Sequence, residues 1–298
     1  AAWKQGNAYF HEGKYQEALK SYTESIRLAE KRPEAYIHRG MVFYHLNQYQ
    51  EALADFNTAE KCDPNIPLLY NNRGVTYLAL KQPGQALADF EQAVLLNEAY
   101  ANAIYNRASL FMGMGRYRLA VHYFNQAIKL SDHTASFFNS RGLAYAAQAQ
   151  YTEALADFTH AIQLDEAYVG AYGNRANVYA NMGMFDEALA DYDRVIARDP
   201  EHILAYAGRA EIAFCRSDMV RAALDASTMI GLQPDFHGGY ALRALAEFRR
   251  NRHDEALKDY AKAIQLDPAW RSPETAAAYL TICPDEALGV VKDILTAL

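Results

Sequence analysis

Eight alanines, Ala18, Ala52, Ala86, Ala120, Ala154, Ala188, Ala222 and Ala256, stand 34 residues apart without a one-residue slip. A register that strict is not compositional noise, and it makes the chain a tandem array in which each unit leans on its neighbours. The phrase around the fifth, Glu153-Ala154-Leu155-Ala156-Asp157-Phe158, returns in recognisable form along nearly the whole sequence. The 298 residues therefore read as one elongated stack rather than two ordinary domains.

Within one unit the spacing of apolar and small residues sets the secondary structure. From Tyr70 they run Tyr70, Gly74, Tyr77, Leu78, then Ala86, Leu87, Phe90, Ala93, Val94, in steps of three and four. That is the signature of two amphipathic helices. Lys81-Gln82-Pro83-Gly84 breaks the pattern between them, with Pro83 suited to open the second helix, so the unit is a helical hairpin. A second small column, Gly6, Gly40, Gly74, Ala108, Gly142, Ala176, Ala210, Ala244, joins the alanine column in letting two backbones approach. Large rings fill the space beside them. They are Tyr22, Phe56, Phe90, Phe124, Phe158, Tyr192 and Tyr260 on the second helix, and Tyr9, Phe43, Tyr77, Phe111, Tyr145 and Tyr179 on the first. Pro64, Pro200, Pro234 and Pro268 close units where a helix must stop.

These small, aromatic and proline columns resemble those of the tetratricopeptide-repeat family over roughly residues 1–268. The family's characteristic Trp near the start of a unit is replaced mostly by Tyr36, Tyr70, Tyr172, Tyr206 and Tyr240. The resemblance implies an all-α, right-handed solenoid whose first helices line a concave groove, and a role in holding other proteins. Eight units are expected at about 1–32, 33–64, 65–98, 99–132, 133–166, 167–200, 201–234 and 235–268. The seventh departs furthest: Ala213 and Ala226 stand where its neighbours carry rings, and Met229 and Gly231 follow. Less burial and a softer stack are expected between about 204 and 234. After Pro268 the phrase returns early as Glu286-Ala287-Leu288, so 269–298 reads as a shortened ninth unit acting as a cap. Ser272-Pro273-Glu274-Thr275 and Pro284 can start its helices, the last presenting Leu288, Val291, Ile294, Leu295 and Leu298 on one apolar face.

The net charge of −7 lacks the basic excess that nucleic acid or anionic lipid would favour. No apolar run is long enough to cross a bilayer. Cys62, Cys215 and Cys283 are isolated and odd in number, reading as free thiols and mildly favouring a reducing, cytoplasmic setting. The chain starts at Ala1, already inside a repeat, which reads as a processed or trimmed piece from which any targeting sequence would be missing.

Two charged columns share the period. Arg39, Arg73, Arg107, Arg141, Arg175, Arg209 and Arg243 precede the small column, and Asp55, Asp89, Asp157, Asp191, Asp225 and Asp259 precede the second-helix rings. Pairing between the columns, which would fix the angle between units, is preferred to a rail for phosphates. Tyr123 breaks the aspartate column, so an arginine near it should find another partner.

The groove surface, by the geometry the resemblance implies, comes from first-helix residues around the small column. Asn72, Asn106 and Asn174, in register with His38 and Ser140, would face it, together with Met41, Tyr44, Tyr105, Asn177 and Phe214. An amide both donates and accepts, so it can satisfy the backbone of an extended peptide without reading its sequence. This resembles, in shorter form, the asparagine ladder in the superhelix of O-linked N-acetylglucosamine transferase. Leu242 and Leu245 extend the surface as an apolar patch at the far end. The carboxylate clamp that some family members use on chaperone tails is not expected, because Trp3, Asn7, His38, Leu68 and Asn72 occupy its places and none is a lysine or arginine.

His11, His38 and His45 lack metal-ligand spacing, and no catalytic or cofactor motif is found, so neither metal, cofactor nor enzyme activity is expected. The expectation is a non-enzymatic scaffold binding a protein or peptide, with no nucleic acid and no membrane insertion. The alternative readings are a regulatory or substrate-recognition arm of a larger enzyme, and self-association through exposed apolar unit faces.

Overall fold

A computed structural model describes residues 2–29, 31–274, 282 and 284–298. Among these there are seventeen α-helices and no strand, and the chain divides into two compact units, residues 1–148 and 149–298. The first holds α1 (Ala2–His11), α2 (Tyr15–Leu28), α3 (Pro33–His45), α4 (Tyr49–Cys62), α5 (Pro67–Ala79), α6 (Pro83–Leu96), α7 (Ala101–Gly113), α8 (Tyr117–Leu130) and α9 (Ala135–Ala146). The second holds α10 (Tyr151–Leu164), α11 (Val169–Asn181), α12 (Phe185–Arg198), α13 (Ile203–Cys215), α14 (Met219–Leu232), α15 (His237–Arg249), α16 (His253–Leu266), a 3-10 turn (Pro268–Arg271) and α17 (Pro284–Ala297). Each is a run of antiparallel helices in which every helix packs on the next, the arrangement of an α-solenoid.

The turn inside each hairpin is set by one backbone conformation. Gly13, Asn47, Lys81, Gly115, Ala149, Gly183, Ser217 and Asn251 all have φ between 57° and 74°, again 34 residues apart. A left-handed residue after a helix lets the following amide reach back to a carbonyl of the last turn. Gln82 N–H donates to Tyr77 O at 2.8 Å and Arg116 N–H to Phe111 O at 2.9 Å in this way. Prolines Pro33, Pro67, Pro83 and Pro284 open helices, where the missing N–H costs nothing.

Packing centres on the second-helix ring. A Cβ added at Gly6, Gly40 or Gly74 would stand 2.6, 2.8 or 2.6 Å from the ring of Tyr22, Phe56 or Phe90, sixteen residues on, so these glycines let the ring lie against the helix. The ring's other side meets the residue sixteen further along, on the first helix of the next hairpin. There Tyr22 faces His38 at 5.7 Å between centroids, and Tyr192 lies against Gly208. From Phe56 onward side-chain size compensates along this column: phenylalanines Phe56, Phe90, Phe124 and Phe158 precede Asn72, Asn106, Ser140 and Asn174, Tyr192 precedes Gly208, and Ala226 precedes Leu242, whereas Tyr22 and His38 at the front are both large.

The last pairing corrects the expectation of poor burial in the seventh hairpin. Ile212, Phe214, Ala226 and Met229 are all buried, in one cluster with Leu242 except for Ile212. The volume missing at Ala226 is supplied from the next helix.

The arginine column is structural. Arg73 donates from Nε and Nη2 to both Asp89 oxygens at 2.8 and 2.9 Å, and from Nη1 to Asn57 Oδ1 and Glu60 Oε2 of the preceding hairpin at 2.8 and 2.6 Å. Arg39 repeats the pattern with Asp55 and Thr23, Arg175 with Asp191 and Thr159, and Arg209 with Asp225 and Asp193. Each arginine thus joins its own hairpin to the one before. Opposite Tyr123, Arg107 finds the phenol oxygen at 2.8 Å and Glu91 at 3.2 Å, with its guanidinium 4.1 Å from the Tyr123 ring centre. Burial raises the Asp55 and Asp89 carboxyls above their ordinary range against the pull of their arginines, whereas the Arg73 hydrogen bond holds Glu60 below it.

The chain's end also differs from expectation. The helix anticipated from Ser272-Pro273-Glu274-Thr275 runs outside the described residues. The last helix, α17, buries Ala287, Val290, Val291 and Ile294 against α15 and α16, while Leu298, expected on that face, is exposed. Leu298, seven residues beyond Val291, follows the end of α17 at Ala297. Cys62 is free and exposed, but Cys215 is disulfide-bonded, so the reading of three free thiols does not hold and the cysteines no longer argue for a reducing compartment. Cys283 lies outside the described residues.

Candidate peptide-binding groove

In the first unit α1, α3, α5, α7 and α9 touch in succession, and in the second so do α11, α13 and α15. Successive second helices are not brought as close, so the first helices line the inner side of each unit. The inner face of α3 and α5 holds a pocket of about 90 Å³ lined by Met41, Tyr44, His45, Phe56, Asn72 and Val75. Its floor is apolar, and Asn72 brings an amide to it. The sequence-based candidates Met41, Tyr44 and Asn72 therefore converge.

The asparagines are already partly engaged within the protein. Asn72 donates from Nδ2 to Leu68 O at 2.8 Å on its own helix, and Asn106 from Nδ2 to Asn71 Oδ1 at 2.8 Å across to α5. Each leaves its own Oδ1 without a bonded partner among the described residues, so this part of the face offers acceptors. Ser140 is buried, with its hydroxyl 3.0 Å from that of Tyr105, whose ring stacks on Phe137 at 4.6 Å. His38 donates from Nδ1 to Glu34 O at 2.6 Å and stands edge-on to Trp3. His45 stacks on Tyr15 at 5.0 Å and packs beside Phe10 and Tyr44.

The remaining candidates lie in the second unit. Asn177 is exposed, and its Oδ1 accepts from the Tyr192 hydroxyl at 2.6 Å. Asn174 is half-buried on the same helix. Phe214 is 2% exposed, a packing residue with Arg249 over its ring at 5.7 Å. Leu242 and Leu245, expected as an open apolar patch, are buried with residues of α17, which covers that end of the inner face. Sequence spacing carried no sign of this, because α17 follows a segment without the repeat. Phe56, expected only as a packing ring, also lines the pocket; Val75 stands one period after Met41 and His45 next to Tyr44, where the groove surface is expected.

Tetratricopeptide-repeat models match residues 4–67, 68–100, 105–168, 169–202 and 238–270, between them well over half of the chain. The chain belongs to the tetratricopeptide-repeat family. The unmatched stretch between 202 and 238 is the divergent seventh hairpin. Among solved structures, a tetratricopeptide repeat protein from Parabacteroides merdae is 22% identical with a TM-score of 0.62, covering 87% of this chain and 98% of its own. PilF of Pseudomonas aeruginosa is 17% identical with a TM-score of 0.64, over 71% and 96%. YrrB, a TPR protein with an unusual peptide-binding site, is 23% identical with a TM-score of 0.50, over 62% and 95%. A search of curated protein sequences returned no match. No helix among the described residues is long and apolar enough to cross a membrane.

Proposed function

We propose that the chain is a non-enzymatic scaffold that holds an extended segment of a partner protein along the inner face of α3, α5 and α7. The family and fold support a protein-interaction scaffold in general. The observation that carries the finer reading is the pocket floored by Met41, Tyr44, Phe56 and Val75 with Asn72 beside it. A cavity of about 150 Å³ with apolar walls holds a benzene ring, so this smaller one suits a short aliphatic side chain. The Oδ1 atoms of Asn72 and Asn106 would accept backbone N–H groups on either side of it.

The choice of test follows from the hydrogen bonds. Asn106→Ala leaves the buried Asn71 Oδ1 unpaired at a cost of about 1–3 kcal/mol, so Asn72→Ala and Val75→Glu are the informative variants. With a partner captured on the wild-type chain, Asn72→Ala is expected to weaken binding about two- to tenfold, the worth of one hydrogen bond. Val75→Glu should abolish it, and the Asn72→Ala melting temperature should stay within about 2 °C of wild type. A partner that binds both variants as tightly as wild type would overturn the reading.

A further inference from the structure

The first helix of the seventh hairpin lacks its ring. The column Tyr9, Phe43, Tyr77, Phe111, Tyr145, Tyr179 ends at Ala213. The volume missing at Ala226 is supplied from the next helix, but that missing at Ala213 is not. A cavity of about 220 Å³ lies there, lined by Leu189 of α12, Arg209, Ile212 and Ala213 of α13, and Arg221 of α14.

The hairpins that keep the ring show what such a space is shaped for. Leu87, three periods before Leu189, packs against the cluster that holds Phe111, three periods before Ala213. Four times a guanidinium of the arginine column lies beside the ring: Arg39 is 5.8 Å from the centre of Phe43, Arg107 5.9 Å from Phe111, Arg141 5.8 Å from Tyr145 and Arg175 5.9 Å from Tyr179. Arg209 keeps its place in that column, held by Asp225 at 2.8 and 2.7 Å and by Asp193, and lines the cavity. A guanidinium attracts the face of an aromatic ring. A cavity of about 150 Å³ holds a benzene molecule, so the space at Ala213 takes one ring together with the bond that carries it.

Beside the cavity α14 carries Val220 and Leu224, 63% and 58% exposed and one helical turn apart. The other hairpins have a polar residue or glycine at the first position, and lysine, histidine or alanine at the second. Both flank Arg221 in sequence on the rim of the cavity. Two solvated aliphatic side chains next to a ring-sized opening favour a polypeptide over a free aromatic molecule.

We propose that the cavity at Ala213 is a docking slot for an aromatic side chain of a partner protein, whose neighbouring residues lie on Val220 and Leu224. None of its lining residues belongs to the inner-face candidates, so the slot stands whatever that face binds.

The probe is taken from a displayed library of random dodecapeptides, selected on the full wild-type chain and counter-selected on Ala213→Phe, which returns the ring to its column. Ala213→Phe should melt within about 3 °C of wild type or above it, because the ring enters space that is already open; in a filled core the added bulk would lower the temperature further. The selected peptides should share a phenylalanine or tyrosine. A synthetic copy of one should bind Ala213→Phe, and the double variant Val220→Asp with Leu224→Asp, at least about tenfold more weakly than wild type. Val75→Glu, in the front groove, should bind it as wild type does, so that failure of the slot and failure of the groove give different results. A larger fall in the Ala213→Phe melting temperature, no enrichment, or enriched peptides without an aromatic residue would each overturn the proposal. So would binding that survives either slot variant, binding lost in Val75→Glu, or N-acetyl-phenylalaninamide binding as tightly as the peptide.

Discussion

At residue 208 a hydroxyl takes the place of a side chain. In the four hairpins before it the preceding ring is a phenylalanine and the matching position holds Asn72, Asn106, Ser140 or Asn174, while at the front Tyr22 faces His38. Tyr192 carries one more oxygen, which lies over Gly208 and is bonded to Asn177. Gly208→Ala should therefore cost about 1–3 kcal/mol by overpacking, despite the better helix propensity of alanine. Removing the oxygen should relieve it, so that Gly208→Ala costs less in a Tyr192→Phe background than alone. Chemical denaturation of the four proteins of that cycle reads the coupling, and strict additivity would refute the contact as its cause. The sequence displayed the columns but not this exchange of volume between them, because the two residues belong to different hairpins and neither breaks the period. The asparagines were legible as a register. Their inward bonds to Leu68 and Asn71 were not, since an amide at a groove position reads the same whether its N–H is free or engaged.

At the scale of the helical hairpin, what sets the entry into the second helix is a left-handed residue, and three of the eight are Lys81, Ala149 and Ser217. An L-residue with a Cβ pays about 1–2 kcal/mol there. Lys81 is exposed, and its side chain makes no hydrogen bond or ion pair with the described residues that would offset that strain. Lys81→Gly should raise stability by up to about 1 kcal/mol after allowing for the extra freedom of glycine in the unfolded chain, read as a higher denaturation midpoint with an unchanged slope. Gly13, Gly115 and Gly183 are in the same register and would have revealed this column, but the turn was read from the proline and glycine that follow Lys81. The helices themselves were plain in the sequence because their apolar periodicity is repeated. The fate of α17 was not, because its burial depends on where an aperiodic segment delivers it.

For the whole molecule, the most uniform consequence of ring burial is its response to alkali. Burial pushes Tyr22 up to about 12, and Tyr192 and Tyr260 are raised by the same cause. An unfolded phenol ionises near 10, so the stability these three contribute is complete below that pH and is lost as pH rises through their folded values. Spectrophotometric titration of the 22 tyrosines should show a fraction that ionises only with loss of helical circular dichroism. In Tyr22→Phe that late fraction should shrink, and a titration with no late fraction would count against the burial. Because the second-helix residue is matched in size to the first helix of the following hairpin from Phe56 to Ala226, the piece of chain that could be duplicated or exchanged there without repacking is offset by half a period from the hairpin seen in the fold. Functional recombinants between arrays of this kind should have their crossovers in the tight turns within hairpins, and seldom in the connections that separate them.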